Sequence, residues 1–468
     1  MTLSAGRLPI AAAILVFFCG ALWLPALNTP FWGDDYVFLQ GAQAANLAAD
    51  PWWAAFWPDQ PLKFWRPLSQ ESFWRLVESA LGADVRAAHR VNLGLLIGAA
   101  CAVGLLGFVV ARLCAWPRPL AIGVLGALIY ASLALHLLPV HWISTANSSI
   151  LVALTALAIG AWLAAPQSGP VLRFLLLGAL PFLTLGALLS KESAVVLPLL
   201  LLAASLFAAP RARPGRPEIA VWIGCVAVVA LWLALRARFT AEADPQYALV
   251  LGGNLIRNAI SLVAWLLNVP REALRMIVSG ERALGIAWAC AAALPMAAAW
   301  ALAARPLAQA LDRRQAVAAL AFVAIAYAPY FPLAWNSYAY YAAVAAILPT
   351  LLLARGVADA RFGVVAATLI GLSSSIAVLG TRALDHPGLI GRARWAEATF
   401  SELERARIAP PLFVRVADGQ RFYAMGTAGL AWRLKLDPHD VRIVERCPDA
   451  APRCLAIDAD GHWSWERP

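Results

Sequence analysis

The sequence predicts an all-α polytopic membrane protein of about eleven transmembrane helices, followed by a small extracytoplasmic α/β module. Hydrophobic residues make up 62% of the chain and charged residues only 14%, whereas soluble domains carry about 25% charge. The apolar residues fall into runs long enough to cross a bilayer. Polar residues dominate only after residue 384. Lipid is therefore the expected surroundings of the first part of the chain.

The apolar runs follow one another along the chain. They lie at 8–27, 88–111, 119–138, 144–164, 171–189, 193–209, 219–236, 283–303, 316–333, 338–354 and 362–380. The first follows the lone Arg7 and has full span length, and no soluble domain comes directly after it. It is therefore expected to be an anchored helix and not a cleaved signal peptide.

Arginines give the runs an orientation. The short loops after every second run are basic and hold Arg112, Arg118, Arg173, Arg211, Arg213, Arg216, Arg305, Arg313, Arg314, Arg355 and Arg361. Because Arg and Lys collect in cytoplasmic loops, the N-terminus is predicted to be cytoplasmic and the C-terminus periplasmic. This predicts a multi-pass protein of the inner (plasma) membrane. The same rule accounts for the net charge of +10 without a nucleic-acid partner.

Two loops on the predicted outer side are long. They cover residues 28–87 and 237–282. The second contains an apolar stretch, 249–270, that carries Asn254, Arg257 and Asn258. Counting this stretch as a span would reverse every later loop, so an interfacial or re-entrant helix is predicted there.

The C-terminal part is predicted to be a separate unit. We assign residues 1–384 to the transmembrane domain and 385–468 to a small α/β module. The stretches 412–416, 441–444 and 454–458 alternate like strands, and 421–436 between them is typical of a helix. Cys447 and Cys454 bound a short polar segment, and a disulfide is expected if the module lies outside the cytoplasm.

Two adjacent carboxylates open the first outer loop. Asp34 and Asp35 follow Pro30-Phe31-Trp32-Gly33, just after the first run. Repulsion would raise the pKa of one of them unless a cation lies close, so one is a candidate general base and the other a candidate to orient it. A divalent cation is left open, with Asp35 as its candidate ligand. The alternative is structural, because acids are favoured in the first turn of a helix.

Candidate phosphate-binding cations lie farther along. Arg66 stands among aromatic residues, where a guanidinium suits bidentate phosphate recognition; the alternative is an Arg that snorkels to lipid headgroups. Lys191 and Glu192 lie between two apolar runs with almost no loop, where ionisable groups are costly and usually face a cavity. Lys191 is a candidate to meet a lipid phosphate, and Glu192 is a candidate to tune that lysine or to bind a partner. The alternative is a local ion pair that closes a tight turn.

Histidines and a tyrosine complete the candidate substrate-binding residues. His89 opens the second run, His141 follows Pro139, and Tyr338 lies between the ninth and tenth runs. Tyr338 is a candidate to line a sugar site and His141 to form hydrogen bonds or handle a proton. The alternatives are helix capping for His89, a structural role for His141 and the aromatic interface belt for Tyr338.

All these residues lie at the predicted outer ends of the runs. Their positions predict one outward-facing cavity that holds acids, cations and aromatic rings. That combination suits an anionic amphiphile whose head carries hydroxyl groups, such as a lipid-linked phosphosugar.

The ordered motifs resemble the GT-C class of polyprenyl-phosphate-sugar-dependent glycosyltransferases. Within it, the chain is most similar to the membrane part of O-mannosyltransferases that carry tetratricopeptide repeats and to their bacterial family-39-like relatives. The matching elements are Asp34-Asp35, Phe64-Trp65-Arg66-Pro67-Leu68, His89 with Asn92, Pro139-Val140-His141 and Leu189–Pro198. They cover about residues 8 to 210, and beyond that point the resemblance rests on hydropathy.

The resemblance implies an inverting sugar transfer on the extracytoplasmic face. Asp34 would be the general base and Asp35 would orient it, while Arg66 and Lys191 would stabilise the departing phosphate. The implied partners are a polyprenyl-phosphate sugar donor, a glycan, lipid or protein acceptor, and membrane lipid. The chain departs from its relatives after Ile143, where Thr145–Ser149 replaces their charged residues, and it lacks the repeats.

Three other functions compete with this interpretation. A lipid or glycolipid flippase would also hold charged residues within the membrane, but such proteins often contain internal repeats, and none is seen. A membrane scaffold would leave the paired carboxylates and Lys191-Glu192 unexplained. An O-antigen-type ligase would need Arg and His in a large late loop, and residues 237–282 contain Arg271 and Arg275 but no His.

Overall fold

The computed structural model describes residues 7–208, 213–241, 247–334, 338–384, 389–406, 408, 410–448 and 454–466. Each predicted apolar run contains helix within these ranges. The first helices are α1 (Arg7–Trp23), α2 (Asp34–Leu47), α3 (Phe73–Ser79), α4 (Val85–Leu113), α5 (Pro119–Ser132), α6 (Leu137–His141), α7 (Asn147–Ala164), α8 (Pro170–Ser190), α9 (Leu197–Ala208) and α10 (Arg216–Phe239). They are followed by α11 (Gly253–Leu266), α12 (Arg271–Ser279), α13 (Arg282–Ala310), α14 (Arg313–Tyr327), α15 (Ile347–Asp359) and α16 (Gly363–Ala383).

The predicted polytopic helical class is confirmed. Seven segments of the described chain are long and apolar enough to cross a membrane: Leu8–Asn28, Val85–Leu113, Ile143–Gln167, Pro170–Ser190, Arg216–Phe239, Arg282–Ala310 and Gly363–Ala383. An eighth results if α5 and the stretch Ala134–His141 form one span bent by 53°. The other runs form shorter helices, such as α14 with 15 residues and α15 with 13. Hydropathy predicted about eleven spans because it does not detect the turns that shorten these helices.

The ends of the helices that carry the basic loops contact one another. Arg173 at the start of α8 forms a bidentate ion pair with Glu218 at the start of α10. Arg118 before α5 donates to the carbonyl oxygen of Ala358 near the end of α15. These contacts agree with a shared side for the basic loops, while the sidedness of the protein in the membrane stays a prediction.

Close helix contacts in the bundle depend on small residues. A Cβ atom on Gly104 of α4 would lie 2.7 Å from the carbonyl oxygen of Gly123 of α5. A Cβ atom on Gly356 of α15 would overlap the Cβ atom of Ala303 of α13. Helices in lipid gain much of their association from such close packing, since the surrounding acyl chains are as apolar as the helices.

Residues 249–270 form no full-length span. They include α11, whose 14 residues are too few to cross a bilayer. Its polar Asn254 and Asn258 are buried, whereas its large exposed side chains include Ile256 and Ile260. Asn258 donates to the carbonyl oxygens of residues 330, 331 and 333. This inside-out pattern agrees with the predicted helix at or in the membrane surface, whose depth stays a prediction.

The C-terminal module combines helices with one mixed sheet. Its elements are α17 (Leu389–Arg405), β1 (Leu412–Val416), α18 (Gly419–Phe422), α19 (Gly426–Leu434), β2 (Val441–Ile443), β3 (Cys454–Ile457) and β4 (Trp463–Glu466). The strand order is β2-β1-β3-β4, with β1 parallel to β2 and β3 and with β4 antiparallel to β3. The three predicted strands are present, and β4 and α17 were not predicted. Cys447 and Cys454 form the expected disulfide.

The module packs directly against α2 and the residue before it. The Gly33 N–H donates to the carbonyl oxygen of Ala424 at 2.9 Å, and Gln40 Nε2 donates to that of Ala428 at 2.9 Å. A Cβ atom on Gly429 would lie 2.8 Å from the ring of Tyr36. The C-terminal residues therefore lie against the paired carboxylates that begin α2.

Candidate active site

Asp34 and Asp35 form the first turn of α2. The preceding Gly33 has a φ of +58°, and a Cβ atom there would lie 3.0 Å from the Tyr423 ring. Glycine therefore permits both the backbone conformation and the approach of the module. A helix N-terminus favours negative charge, so the structural alternative for the two acids is compatible with a catalytic role.

Asp35 is held on both oxygens by protein donors. Its Oδ1 accepts hydrogen bonds from the backbone N–H of Ser144, at 2.8 Å, and from the Ser144 hydroxyl. Its Oδ2 accepts from the Trp32 N–H at 3.2 Å. The side chain is buried, and burial raises its pKa to about 7 although these bonds oppose the shift. These hydrogen bonds favour an orienting role for Asp35. Among the described residues, no group of three or more His, Cys, Asp or Glu side chains is arranged so that it could hold a metal ion.

Replacing Ser144 by Ala should destabilise the protein more at pH 8 than at pH 5. Because the pKa of Asp35 rises from 3.8 to about 7 on folding, its contribution is most favourable below pH 3.8 and declines until pH 7. The lost hydroxyl costs roughly 1.5–3 kcal/mol where the carboxylate is charged. Thermal unfolding in detergent at both pH values measures the difference. Ser149→Ala, in the first turn of the following helix α7, is the control, and equal losses at both pH values would contradict this role for Ser144.

Asp34 is the more accessible carboxylate. It is partly exposed and accepts a hydrogen bond from the Tyr423 hydroxyl of the C-terminal module. Burial raises the pKa of Asp34, while the Tyr423 hydrogen bond and the charges of Lys63 and Arg66 lower it, and the net shift is upward. A carboxyl with a raised pKa is a stronger base than an ordinary aspartate, which suits the removal of a proton from a hydroxyl group.

Arg66 is held in place by an ion pair with Glu192, which follows α8. Its Nε and Nη2 donate to the carboxylate at 2.7–2.9 Å, and its guanidinium lies 4.1 Å from the centre of the Phe64 ring. Ser69, in the turn that follows Arg66, donates to the carbonyl oxygen of Ser190 at 2.7 Å. That bond joins the first long loop to the end of α8, immediately before Lys191.

Lys191 is buried among neutral acceptors and aromatic rings. Its Nζ donates to Ser148 Oγ at 3.0 Å and to Asn147 Oδ1 at 3.3 Å, and it lies 4.5 Å from the centre of the Tyr340 ring. Glu192 pairs with Arg66 and not with its neighbour Lys191, so the alternative of a local Lys-Glu pair is wrong. The lysine is thus held by dipoles and aromatic rings, and its role as a phosphate contact stays a prediction.

A group of tyrosines lies beside these cations. Tyr338 and Tyr340 stack with ring centres 5.3 Å apart, and Tyr341 stacks on Tyr330 at 4.4 Å. Tyr338 is partly exposed, and the Arg271 guanidinium lies 4.9 Å from the centre of its ring. We call Tyr338, Tyr340 and Tyr341 the tyrosine cluster.

His89 and His141 lie in a separate buried hydrogen-bond network. His89 contacts the carbonyl oxygens of Thr29 and Val140 at 2.9 and 3.2 Å, and His141 Nδ1 contacts the Thr29 hydroxyl at 2.8 Å. Asn92 donates to the carbonyl of Pro139 at 2.6 Å. These bonds join the start of α4 to α6 and to the end of the first span. They indicate a structural role, and substrate binding by either histidine stays a prediction.

Several residues of the site were not predicted. Tyr423 comes from the module, Ser144 lies just before the segment 145–149 in which the chain departs from the family it resembles, and Asn147 and Ser148 lie within that segment. In place of charged residues, this segment supplies neutral acceptors to Lys191. The polar run 144–149 between two apolar stretches was the available signal. Nothing in the sequence near Tyr423 indicated its contact.

The described bundle of helices, the long first loop and the small sheet module together have a known fold. Two solved structures of ArnT from Cupriavidus metallidurans share it. The structure bound to undecaprenyl phosphate has a TM-score of 0.54 at 13% identity, and the match covers 93% of this chain and 86% of that one. The apo structure gives a TM-score of 0.52 with the same identity and coverage. The chain matches no protein-family model and no curated protein.

Proposed function

We propose that the protein transfers a sugar from a polyprenyl-phosphate donor to an acceptor hydroxyl on the extracytoplasmic face of the membrane. One observation carries the proposal. Asp34 is a partly exposed carboxylate with a raised pKa, and the charge of Arg66 acts both on Asp34 and on the buried Lys191. The fold supports it, because the ArnT structure that shares this fold was solved with undecaprenyl phosphate bound.

The cations suit a phosphate leaving group. Among the described residues, Lys191 Nζ donates its hydrogen bonds to neutral oxygens. A phosphate oxygen would therefore be its first charged hydrogen-bond acceptor. Arg66 is oriented by Glu192 through Nε and Nη2, which leaves Nη1 for a ligand. As the glycosidic C–O bond breaks, the phosphate takes the electron pair, and fixed positive charge beside it lowers the barrier.

Asp34 is the proposed general base. The acceptor hydroxyl attacks the anomeric carbon on the face opposite to the phosphate, so a new C–O bond forms as the old one breaks and the configuration inverts. The hydroxyl proton moves to Asp34. Asp35, held by Ser144 and Trp32, keeps the first turn of α2 in place. Tyr338 would stack on a sugar face, and membrane lipid would surround the polyprenyl chain.

Mass spectrometry of glycans and lipid-linked sugars in a deletion strain tests the function. The proposal predicts that one glycan modification disappears and that a polyprenyl-phosphate sugar accumulates. Re-expression of the wild-type chain should restore both, whereas the inactive variant Asp34→Asn should restore neither. A flippase would instead change the sidedness of a lipid while leaving every glycan chemically intact, and that result would overturn the proposal.

Removal of the Tyr423 hydroxyl should move the acid limb of the activity profile to higher pH. The hydrogen bond from Tyr423 lowers the pKa of Asp34, so Tyr423→Phe raises it and more acid remains protonated near neutrality. We expect about a 2- to 10-fold loss at pH 7, the value of one hydrogen bond, and recovery at pH 8. Rate profiles between pH 5 and 9 measure the shift.

Tyr36→Phe is the matched control for this experiment. Its hydroxyl lies at the same interface but bonds to Arg433 and not to Asp34. It should leave the acid limb in place. An acid limb that moves to lower pH in Tyr423→Phe would contradict the assigned hydrogen bond.

A further inference from the structure

Three tryptophans of the first long loop are exposed. Trp52, Trp53 and Trp57 expose 69%, 59% and 54% of their surface, and the first two lie in a short 3₁₀ helix, Trp52–Phe56. The ring centres of Trp53 and Phe56 lie 5.8 and 6.0 Å from that of Trp52. Neighbouring large apolar side chains that stay exposed mark an interaction surface. We call Trp52, Trp53, Phe56 and Trp57 the tryptophan patch.

Hydrogen bonds fix the chain on both sides of the patch. Before it, Arg75 Nη1 donates to the carbonyl oxygen of Pro51 at 3.0 Å. After it, the Leu62 N–H donates to the carbonyl oxygen of Phe239 at 2.8 Å, and the Ala241 N–H donates to that of Leu62 at 2.9 Å. The patch therefore projects from a segment whose two ends are bonded to the rest of the protein.

The end of a spanning helix lies next to the patch. α10 is long and apolar enough to cross a membrane, and Phe239 is its last residue. The ring centre of Trp57 lies 4.8 Å from that of Phe239. Farther back along α10, Leu231 and Leu233 are exposed, as expected for a helix that contacts lipid. Trp57 therefore lies at the level where α10 leaves the apolar part of the bilayer.

The chemistry of the patch suits lipid headgroups. Tryptophan has an apolar ring and one polar N–H, and it is enriched where the bilayer meets water. The exposed Arg238 lies beside the patch, with its guanidinium 5.2 Å from the centre of the Trp57 ring. An arginine at this level can reach lipid phosphates while its stem contacts apolar surface. Rings and a cation at the end of a span together favour lipid over a protein partner.

A series of rings joins the patch to the candidate active site. Trp57 contacts Phe239, and the ring centre of Phe239 lies 5.1 Å from that of the buried Trp65. Trp65 directly precedes Arg66 in the chain. The position of the patch relative to the bilayer is therefore coupled, through two ring contacts, to the segment that carries Arg66.

We propose that the tryptophan patch inserts into the headgroup layer of the membrane and holds the loop that carries Arg66 at the bilayer surface. Its occupant is phospholipid, and not a second copy of the chain or another protein. The anchoring goes beyond the proposed sugar transfer, because it requires no reaction. Only its benefit for a phosphate contact of Arg66 rests on the proposed function.

Photo-crosslinking of the full-length protein in nanodiscs of phosphatidylethanolamine and phosphatidylglycerol tests the contact. The photoreactive residue p-benzoylphenylalanine in place of Trp53 should form a covalent adduct with phospholipid, which intact-protein mass spectrometry detects. The same residue in place of Phe182, exposed on the spanning helix α8, is the positive control. In place of His439, exposed in the C-terminal module, it should form no adduct. A lipid adduct at Phe182 but none at Trp53 would overturn the proposal, as would equal yields at Trp53 and His439 or a crosslink from Trp53 to a second copy of the chain.

Hydrogen–deuterium exchange in the same nanodiscs tests whether the patch holds the loop. Trp53→Glu places a charge in the headgroup layer and should speed amide exchange in residues 51–66 about tenfold or more, as expected when one large apolar side chain loses its burial. Trp53→Tyr keeps an interfacial aromatic ring and should stay within about twofold of the wild type. Unchanged exchange in Trp53→Glu would overturn the proposal, and so would equally faster exchange in residues 426–446, since that would indicate a general loss of stability. Neither experiment depends on sugar transfer.

Discussion

Asp34→Asn is expected to lower turnover about 10³-fold while leaving the affinity for the polyprenyl-phosphate donor nearly unchanged. General acid–base catalysis contributes roughly 10²–10⁴-fold, and an amide of the same shape cannot accept the hydroxyl proton. The Tyr423 hydroxyl can still donate to the amide oxygen, so packing at the interface with the module should persist. Steady-state rates in detergent or nanodiscs, with donor and acceptor varied separately, measure the effect.

Asp59→Asn is the matched control for this experiment. It removes an exposed carboxylate from the same long loop, and we expect less than about a twofold change, as for most surface substitutions. The unfolding temperature of Asp34→Asn should stay within a few degrees of wild type. Activity above one tenth of wild type would exclude Asp34 as the base, whereas a large rise in the Michaelis constant for the donor would assign it to binding.

Lys191→Met is expected to reduce turnover by about 10²–10³-fold and also to weaken donor binding. Removing one fixed donor that stabilises developing charge has this cost in comparable sites. Methionine keeps much of the length and the contact with the tyrosine rings but leaves Ser148 and Asn147 without their donor. The pattern therefore differs from that of Asp34→Asn, since the donor's Michaelis constant and turnover should both change.

Lys63→Met provides the comparison for charge alone. Lys63 is exposed and lowers the pKa of Asp34 from a distance, so its loss should reduce the rate by less than about tenfold, as screening limits exposed charges. If Lys63→Met were as damaging as Lys191→Met, general electrostatics would replace a specific phosphate contact as the explanation. Inorganic phosphate should inhibit the wild type and the Lys63 variant more strongly than the Lys191 variant.

Much of the helical bundle was predictable because its signals are local. Apolar runs of span length, arginines at alternate ends and period-two alternation in the tail each depend on a few neighbouring residues. The same applies to Asp34, Arg66 and Lys191, which are conspicuous as charges at the ends of apolar runs. Because successive loops alternate between the two sides of the membrane, these residues are predicted to lie on the same side.

The finer arrangement depends on tertiary contacts that leave no local signal. The partner of Glu192 was not predicted, since the sequence offered only its neighbour Lys191 for an ion pair, and packing of the first long loop against α8 brings the distant Arg66 to it. Ser144 is one of many serines until α2 places Asp35 beside it. The predicted runs are longer than short apolar helices such as α15, because turns within an apolar stretch do not change its hydropathy.

The bond between Tyr423 and Asp34 has a consequence for biosynthesis. A nascent chain that has emerged only as far as β1 already contains its carboxylates and cations, yet it lacks the phenol that tunes the base and the backbone carbonyl that holds Gly33. The surroundings of Asp34 are thereby completed only when the last part of the polypeptide has folded back onto the first. Under the proposed sugar transfer, the base of an unfinished chain in the translocon would have a higher pKa than that of the finished protein.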